Sequence, residues 1–404
     1  MVNLASSSIQ RDLRRIRVYY LLLYCAGFVL PYLNLFYQRL GLSGTEIGTI
    51  GAVAALTTLL FAPIWTTLVE KIGRGRTLLQ LGLILSALGY LWLGMQSQFL
   101  GITLARGALA LVGAAIVPLS DALAVSISGS AGKGFGSVRA WSSVGWIFFG
   151  LSGGWMNQNL GAHAGFVATA VLTFINVLVL FSITSDHFAI QAIPVASNSD
   201  SSMRRDNLIA KLRSNPDMLA LALMMIVIGL GNSGILQFET NYLAELGASD
   251  LVIGIAAVMS AVVEIPFMLW ADRLVAKRSA RGVMMASLTV YVIIRLVVLA
   301  APSPLMIIIT RGLQGIAFSF YTIAIIHFIV RGAPTGQTRT TMALYNITLA
   351  NVITILAAPV AGAAYDLFGA RWLYLVAAIG YALGWLILRW VRSPQETIQA
   401  VQHR

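Results

Sequence analysis

Charge is scarce in this 404-residue sequence: 27 basic and 15 acidic residues make up only 10% of it, and hydrophobic residues reach 58%. A soluble domain carries about 25% charge. So few charges cannot cover a water-facing surface of this size, which excludes a soluble enzyme and a disordered chain. Cys25 is the only cysteine, which excludes an internal disulfide and a disulfide scaffold. Acids are fewer than bases, giving a net charge of +12. The basic residues are spread thinly over many short loops, so a nucleic-acid surface is excluded too. Catalytic and phosphate-binding motifs are also missing. Gly132-Lys133-Gly134-Phe135-Gly136 is a loose glycine cluster and no Walker loop, and neither His-Glu-x-x-His nor Gly-x-Ser-x-Gly occurs. His163, His187, His327 and His403 are too scattered for a metal site. The expectation is a membrane protein that is no enzyme and needs no cofactor or metal.

Long apolar runs fill the chain, and a membrane-spanning helix needs about 20 mostly apolar residues. Twelve such segments fall near 16–40, 45–70, 76–96, 98–128, 137–158, 163–184, 217–244, 249–271, 281–300, 303–331, 340–366 and 371–391. The first is longer than a signal-peptide core and is followed by no small-x-small cleavage site. Alternate loops hold 22 of the 27 basic residues, including Arg11, Arg14, Arg15, Arg17, Lys71, Arg74, Arg76, Arg204, Arg205, Lys277 and Arg281; the opposite loops hold only Arg39 and Arg371. This asymmetry predicts that both termini face the cytoplasm, in a cell membrane. The polar stretch 185–217, with Pro194 and five Ser or Asn residues from Ser197 to Ser202, reads as a cytoplasmic linker. It separates a tail (1–15) and a six-helix bundle (16–184) from a second bundle (218–391) and tail (392–404).

The two bundles repeat one another. Leu40-Gly41-Leu42-Ser43-Gly44-Thr45-Glu46-Ile47-Gly48 matches Leu246-Gly247-Ala248-Ser249-Asp250-Leu251-Val252-Ile253-Gly254 at five of nine positions, 206 residues apart. Each stretch leads into a span with a proline (Pro63, Pro266) that closes on acid-then-base (Glu70-Lys71, Asp272-Arg273). Arg106-Gly107 is echoed by Arg311-Gly312, and Leu160-Gly161-Ala162 by Phe368-Gly369-Ala370. Transporters are commonly built from such repeats.

Charges inside spans are costly and mark pathways. Asp121 and Arg139 both fall roughly 8–10 Å below the cytoplasmic surface by residue counting, so an ion pair between neighbouring helices is geometrically plausible. Ser142, Ser143 and Trp146 share a helix face with Arg139. That face suits a solute with an apolar ring and polar substituents; equally, the pair packs two helices and Trp146 anchors an interface. Glu264, mid-span and two residues before Pro266, has no basic neighbour on its own helix. It reads either as a proton carrier, alone or with Asp121, or as a protonated acid fixed by a hydrogen bond. Glu239, Arg295 and Arg311 fall at one depth and read as a gate-side network, part of the site, or a fixed structural cluster. Glu70, Lys71, Asp272 and Arg273 read as conformational latches or as interfacial side chains whose basic members snorkel.

Taken together, these features resemble the major facilitator superfamily over essentially the whole chain. The family loop between spans two and three is matched in degenerate form by Glu70-Lys71-Ile72-Gly73-Arg74, with Thr66 where glycine is usual, and Arg311-Gly312-Leu313-Gln314-Gly315 matches its Arg-x-x-Gln-Gly pattern. The resemblance implies an all-α fold of two six-helix bundles and adds Gly73 and Arg74 to the gating loops and Gln314 to the charge network. Gly27…Pro31-Tyr32-Leu33 and Pro118-Leu119-Ser120-Asp121-Ala122-Leu123 look like the phenylpropionate transporter branch. Arg139-Ala140-Trp141-Ser142-Ser143-Val144-Gly145-Trp146 looks like that branch and like the lactose permeases. In the permeases an acid and an arginine eighteen residues apart hold the sugar with a tryptophan, which implies Asp121, Arg139 and Trp146 here. Their titrating pair on span ten matches Gln314 and Ala317, which do not titrate, so coupling by the same residues is not implied. The family's antiporter signature is absent from span five, which leans away from efflux. The resulting expectation is a proton-driven symporter of a small organic solute: a sugar, a nucleoside or an aromatic acid. Its partners would be that solute and the bilayer, with a monomer as the working unit. An efflux antiporter and a non-transporting receptor or scaffold are the rivals.

Overall fold

The computed structural model describes residues 2–184, 215–277, 279–334 and 337–390. The expected linker, apart from 215–217, and the expected C-terminal tail lie outside the described residues. Twelve membrane-length segments are seen among the described residues, and all are helical. The first is α1 (Val2–Leu23), two 3-10 turns at Cys25–Phe28 and Leu30–Tyr32, and α2 (Leu33–Arg39). Then come α3 (Gly44–Ile72), α4 (Gly75–Gly94), α5 (Phe99–Ser130), α6 (Gly136–Leu160) and α7 (Ala162–Ser182). The second half has α8 (Pro216–Glu245), α9 (Asp250–Lys277), α10 (Ala280–Ala300) and α11 (Pro304–Gly332). A short α12 (Thr338–Ala343) passes through one π turn, Leu344–Leu349, into α13 (Ala350–Phe368), and α14 (Ala370–Trp390) closes the series.

Two features differ from the expected spans. Helix α1 begins at Val2, inside the stretch read as a tail, and buries Asp12, Leu13 and Ile16. Its charges are accommodated locally: Asp12 pairs with Arg15 at 3.1 Å, and Arg15 donates to the Ser182 carbonyl at 2.6 Å. The first span is also broken rather than continuous. Pro31 brings no N–H and clashes with a preceding turn, and the chain crosses Gly27 to Tyr32 in tight 3-10 turns.

Helix ends follow from sequence. Ser43 caps α3 in a reciprocal box: its hydroxyl accepts from the Glu46 N–H at 3.3 Å, and the Glu46 carboxylate accepts from the Ser43 N–H at 2.8 Å. Asn215 caps α8 by accepting from the Asp217 N–H at 3.1 Å, with Pro216 in the first turn. The sequence repeat reappears as backbone geometry. Gly41 and Gly247 have φ of +89° and +81°, and Gly161 and Gly369 have +81° and +78°. These left-handed turns admit glycine at no steric cost, so both halves turn between helices with the same chemistry.

The described residues fall into two units. Unit 1 comprises Met1–Pro194 with Ala248–Val258; unit 2 comprises Val195–Gly247 with Met259–Arg404. Unit 1 packs Ile16, Tyr19, Leu83, Leu123, Ile127 and Leu180 into a core. Unit 2 packs Met218, Met284, Leu288, Ile329, Tyr381 and Leu388. Large apolar side chains also stand on the outside, among them Leu60, Leu88, Phe174, Leu178, Leu356 and Val360. Helices apolar on all sides are membrane spans, and these outward residues are their lipid faces. Eleven spans are long and apolar enough to cross a bilayer alone; α6 is long enough but not apolar enough.

Candidate functional site

The arrangement in unit 1 begins with glycine. A Cβ at Gly145 would run into the Leu21 carbonyl, and one at Gly153 would stand 2.8 Å from the Phe28 carbonyl oxygen. Helix α6 therefore lies directly on the backbone of the first span. Small residues at a helix contact allow such approach. The approach brings Tyr24, at the end of α1, over Arg139, with the guanidinium carbon 5.3 Å from the ring centroid. Arg139 also donates to the hydroxyl of the fully buried Ser142, which itself donates to the Arg139 carbonyl at 2.6 Å.

Helix α5 supplies the acid. Tyr20 donates its hydroxyl to Asp121 Oδ1 at 2.5 Å, and Tyr19 shares a hydrogen bond with Ser120 at 2.7 Å. Among the described residues no ion pair joins Asp121 to Arg139. The expected pair is replaced by two contacts to one helix: Tyr20 holds the acid, and Tyr24, one turn on, faces the base. Trp146 is half-buried two turns beyond Arg139, where its carbonyl oxygen would lie 3.5 Å from a Cβ on Gly27. Asp121, Arg139 and Ser142 thus belong to one wall made of α1, α5 and α6, with Tyr20 and Tyr24 as members that sequence reading missed, and Trp146 meets the first span through its backbone. The signal for them was thin: two tyrosines four apart in an apolar helix.

Unit 1 holds one further pair outside the sequence expectations. Arg39, ending α2, meets Asp250 through two hydrogen bonds of 3.0 and 2.6 Å. Gln158 accepts from the Leu251 N–H at 3.3 Å, and Tyr32 donates to the Gly150 carbonyl at 3.1 Å.

In unit 2 the four expected network residues do meet. Glu239 and Arg295 are 3% and 2% exposed and stand 3.7 Å apart; Arg311 pairs with the other Glu239 oxygen. Arg295 also donates to Asn232 at 3.2 Å and to Gln314 at 3.1 Å, and its guanidinium lies 5.8 Å from the Tyr374 ring centroid. Tyr374 donates to Glu239 at 2.9 Å. Tyr291 and Tyr381 stack beside them, 4.4 Å apart and parallel within 2°. Asn232 and the three tyrosines come from α8, α10 and α14 and were not expected. One turn-pattern, Tyr291 and Arg295 on α10 with Tyr374 and Tyr381 on α14, could have suggested them.

Glu264 is half-buried in α9 at its crossing with α11. Gly315 permits that crossing, because a Cβ there would stand 3.2 Å from the Glu264 nitrogen. Ser319 donates towards the Glu264 carbonyl at 3.1 Å. Gly315 follows Gln314, so the Glu264 backbone lies against the helix that carries Gln314 of the network.

Of the gating residues, Lys71 and Arg74 are exposed and Gly73 turns at φ +64°. The side chains of Glu70, Asp272 and Arg273 lie outside the described set. Arg106 forms no ion pair among the described residues. The repeat in sequence is therefore not a repeat in chemistry at this depth.

An all-α membrane body of two repeat-related units, each enclosing charged side chains within its helices, has the build of a secondary transporter. Residues 13–376 match the model of the MFS_1 like family, and the chain belongs to that family of the major facilitator superfamily. It is a multi-pass membrane transporter and not an enzyme. It is 26% identical to the maltose permease of Geobacillus stearothermophilus over 334 residues, 81% of either chain. It is 24% identical over 401 residues to the multidrug resistance protein MdtG of Yersinia enterocolitica, covering 94% of this chain and 92% of that one. In fold it is similar to the nucleoside transporter NupG, with a TM-score of 0.82 at 15% identity over 94% of this chain and 98% of that one. A bacterial homologue of the human lysosomal transporter Spinster, solved inward-facing and occupied, gives 0.74 at 13% identity over 95% and 97%.

Proposed function

We propose that this transporter is a proton-coupled symporter of a small organic solute, a sugar, nucleoside or aromatic acid, working by alternating access in the cell membrane with both termini cytoplasmic. The observation that carries the reading is the unit 1 wall, where Asp121, Arg139 and Ser142 stand with Tyr20 and Tyr24, and Trp146 follows on the helix of Arg139. Charged and hydroxyl groups beside aromatic faces bind rings that carry polar substituents. The likeness to a maltose permease and to a nucleoside transporter fold supports solutes of this kind. Glu264 is the coupling residue: a half-buried carboxylate set within a span is a group whose proton affinity can differ between two states. The proton gradient is the energy source, and no cofactor enters.

The test uses de-energised cells in weak buffer with a pH electrode. Pools of sugars, nucleosides and aromatic acids are added to wild type and Glu264→Gln. Alkalinisation with one pool, lost in the variant, is expected. Uptake without any pH change would make the protein a facilitator and leave Glu264 structural. Drug efflux by antiport is the second reading, favoured by the likeness to multidrug resistance proteins; resistance profiling of a deletion strain distinguishes it.

A further inference from the structure

The charge network of unit 2 is unbalanced. Two guanidinium groups, Arg295 and Arg311, share one carboxylate, Glu239, deep within the helices. The two arginines are not equally provided for. Arg295 is closed off, with acceptors from Asn232 and Gln314 as well as Glu239. Arg311 has Glu239 as its one polar partner among the described residues, while the Nε of either arginine is buried with no acceptor. Arg311 is also the one charge of the three with open surface, 24% exposed against 2% and 3%. A guanidinium carries five donors in a planar fork that matches an acceptor-only, two-oxygen group. A buried cation without full compensation is costly.

We propose that Arg311 is a solute-binding residue and that the solute carries a carboxylate, which docks on the open side of the guanidinium while Glu239 holds the other side. The inference rests on the symport reading and narrows its solute class to acids.

The test measures uptake into proteoliposomes under an imposed pH gradient, with matched neutral and acidic members of each solute class: glucose and glucuronate, uridine and orotidine, benzamide and benzoate. In whichever pair is taken up, the carboxylate member is expected to win by about tenfold or more, the value of a charge-assisted hydrogen bond. Arg311→Gln should remove that preference. Because this variant leaves Glu239 with one base, the double variant E239Q/R311Q is assayed beside it, and it too should lose the preference. Proton-coupled uptake of the neutral member, or a carboxylate preference that survives in both variants, overturns the inference while the symport reading stands. No uptake of any probe overturns both.

Discussion

Single side chains decide how the unit 1 wall is held. Tyr20 and Tyr24 stand one turn apart and do different work: the first gives Asp121 a proton-bearing partner, the second gives Arg139 a ring face. Tyr20→Phe should therefore cost about 1–3 kcal/mol, since it leaves a partly buried carboxylate without its donor, and a thermal melt in detergent reads the loss. At Tyr24 the ring matters and the hydroxyl does not. Phe should be silent there, whereas Leu should weaken solute uptake by the worth of a cation–π contact, about 0.5–2 kcal/mol. Equal effects of Phe and Leu would mean that Tyr24 does not act through its ring. Arg139→Ala should lose coupled uptake while the protein still reaches the membrane.

At the scale of helices, contacts are set by what is small and by how helix ends are closed. Gly145 stands against the Leu21 carbonyl with no room for a side chain. Gly145→Val should separate α6 from α1, take Tyr24 from Arg139 and lower thermal stability by about 1–3 kcal/mol or more; retained uptake and an unchanged melt would contradict the contact. Arginines close the C-terminal ends of the last helix in each half. Arg76, in the first turn of α4, donates to the Phe181 carbonyl at 2.6 Å, and Arg281, in the first turn of α10, donates to the Arg389 carbonyl. The two arginines are 205 residues apart, as are Arg106 and Arg311 of the repeat. A cation at a helix C-terminus contributes about 0.3–1 kcal/mol, so Arg76→Ala and Arg281→Ala should each destabilise by that order and add when combined, since the sites lie in different units.

For the molecule as a whole, the plan of spans and the internal repeat were legible because both rest on local patterns: apolar run length, glycine turns and the sign of loop charge. The Glu239, Arg295, Arg311 and Gln314 network was legible too, because charges are so rare inside spans that those at one depth have few partners to choose from. The tyrosines were not, since aromatic residues are ordinary in apolar helices and only packing shows that Tyr20 meets Asp121, 101 residues away. The same limit hid Arg39 and Asp250, 211 residues apart. The start of α1 was misjudged for another reason. The cluster Arg11, Arg14, Arg15 and Arg17 ends a hydropathy pattern, yet the helix continues through it, with Arg15 held by Asp12 and the Ser182 carbonyl.

The polar make-up of α6 has a consequence for how the protein is made. The glycines that let it lie on α1, and the arginine and serines of the wall, are also what keep it below the apolarity of the other eleven spans. Insertion by the translocon depends on the summed apolarity of a segment. Residues 136–160 fused alone into a glycosylation reporter should therefore enter the membrane poorly, and the same segment should enter well when the preceding spans and α7 are supplied with it. Efficient insertion of the isolated segment would refute this. During synthesis α6 would then wait at the translocon for its neighbours, so substitutions that loosen the α1 contact should reduce the amount of protein in the membrane before they change the affinity of what arrives there.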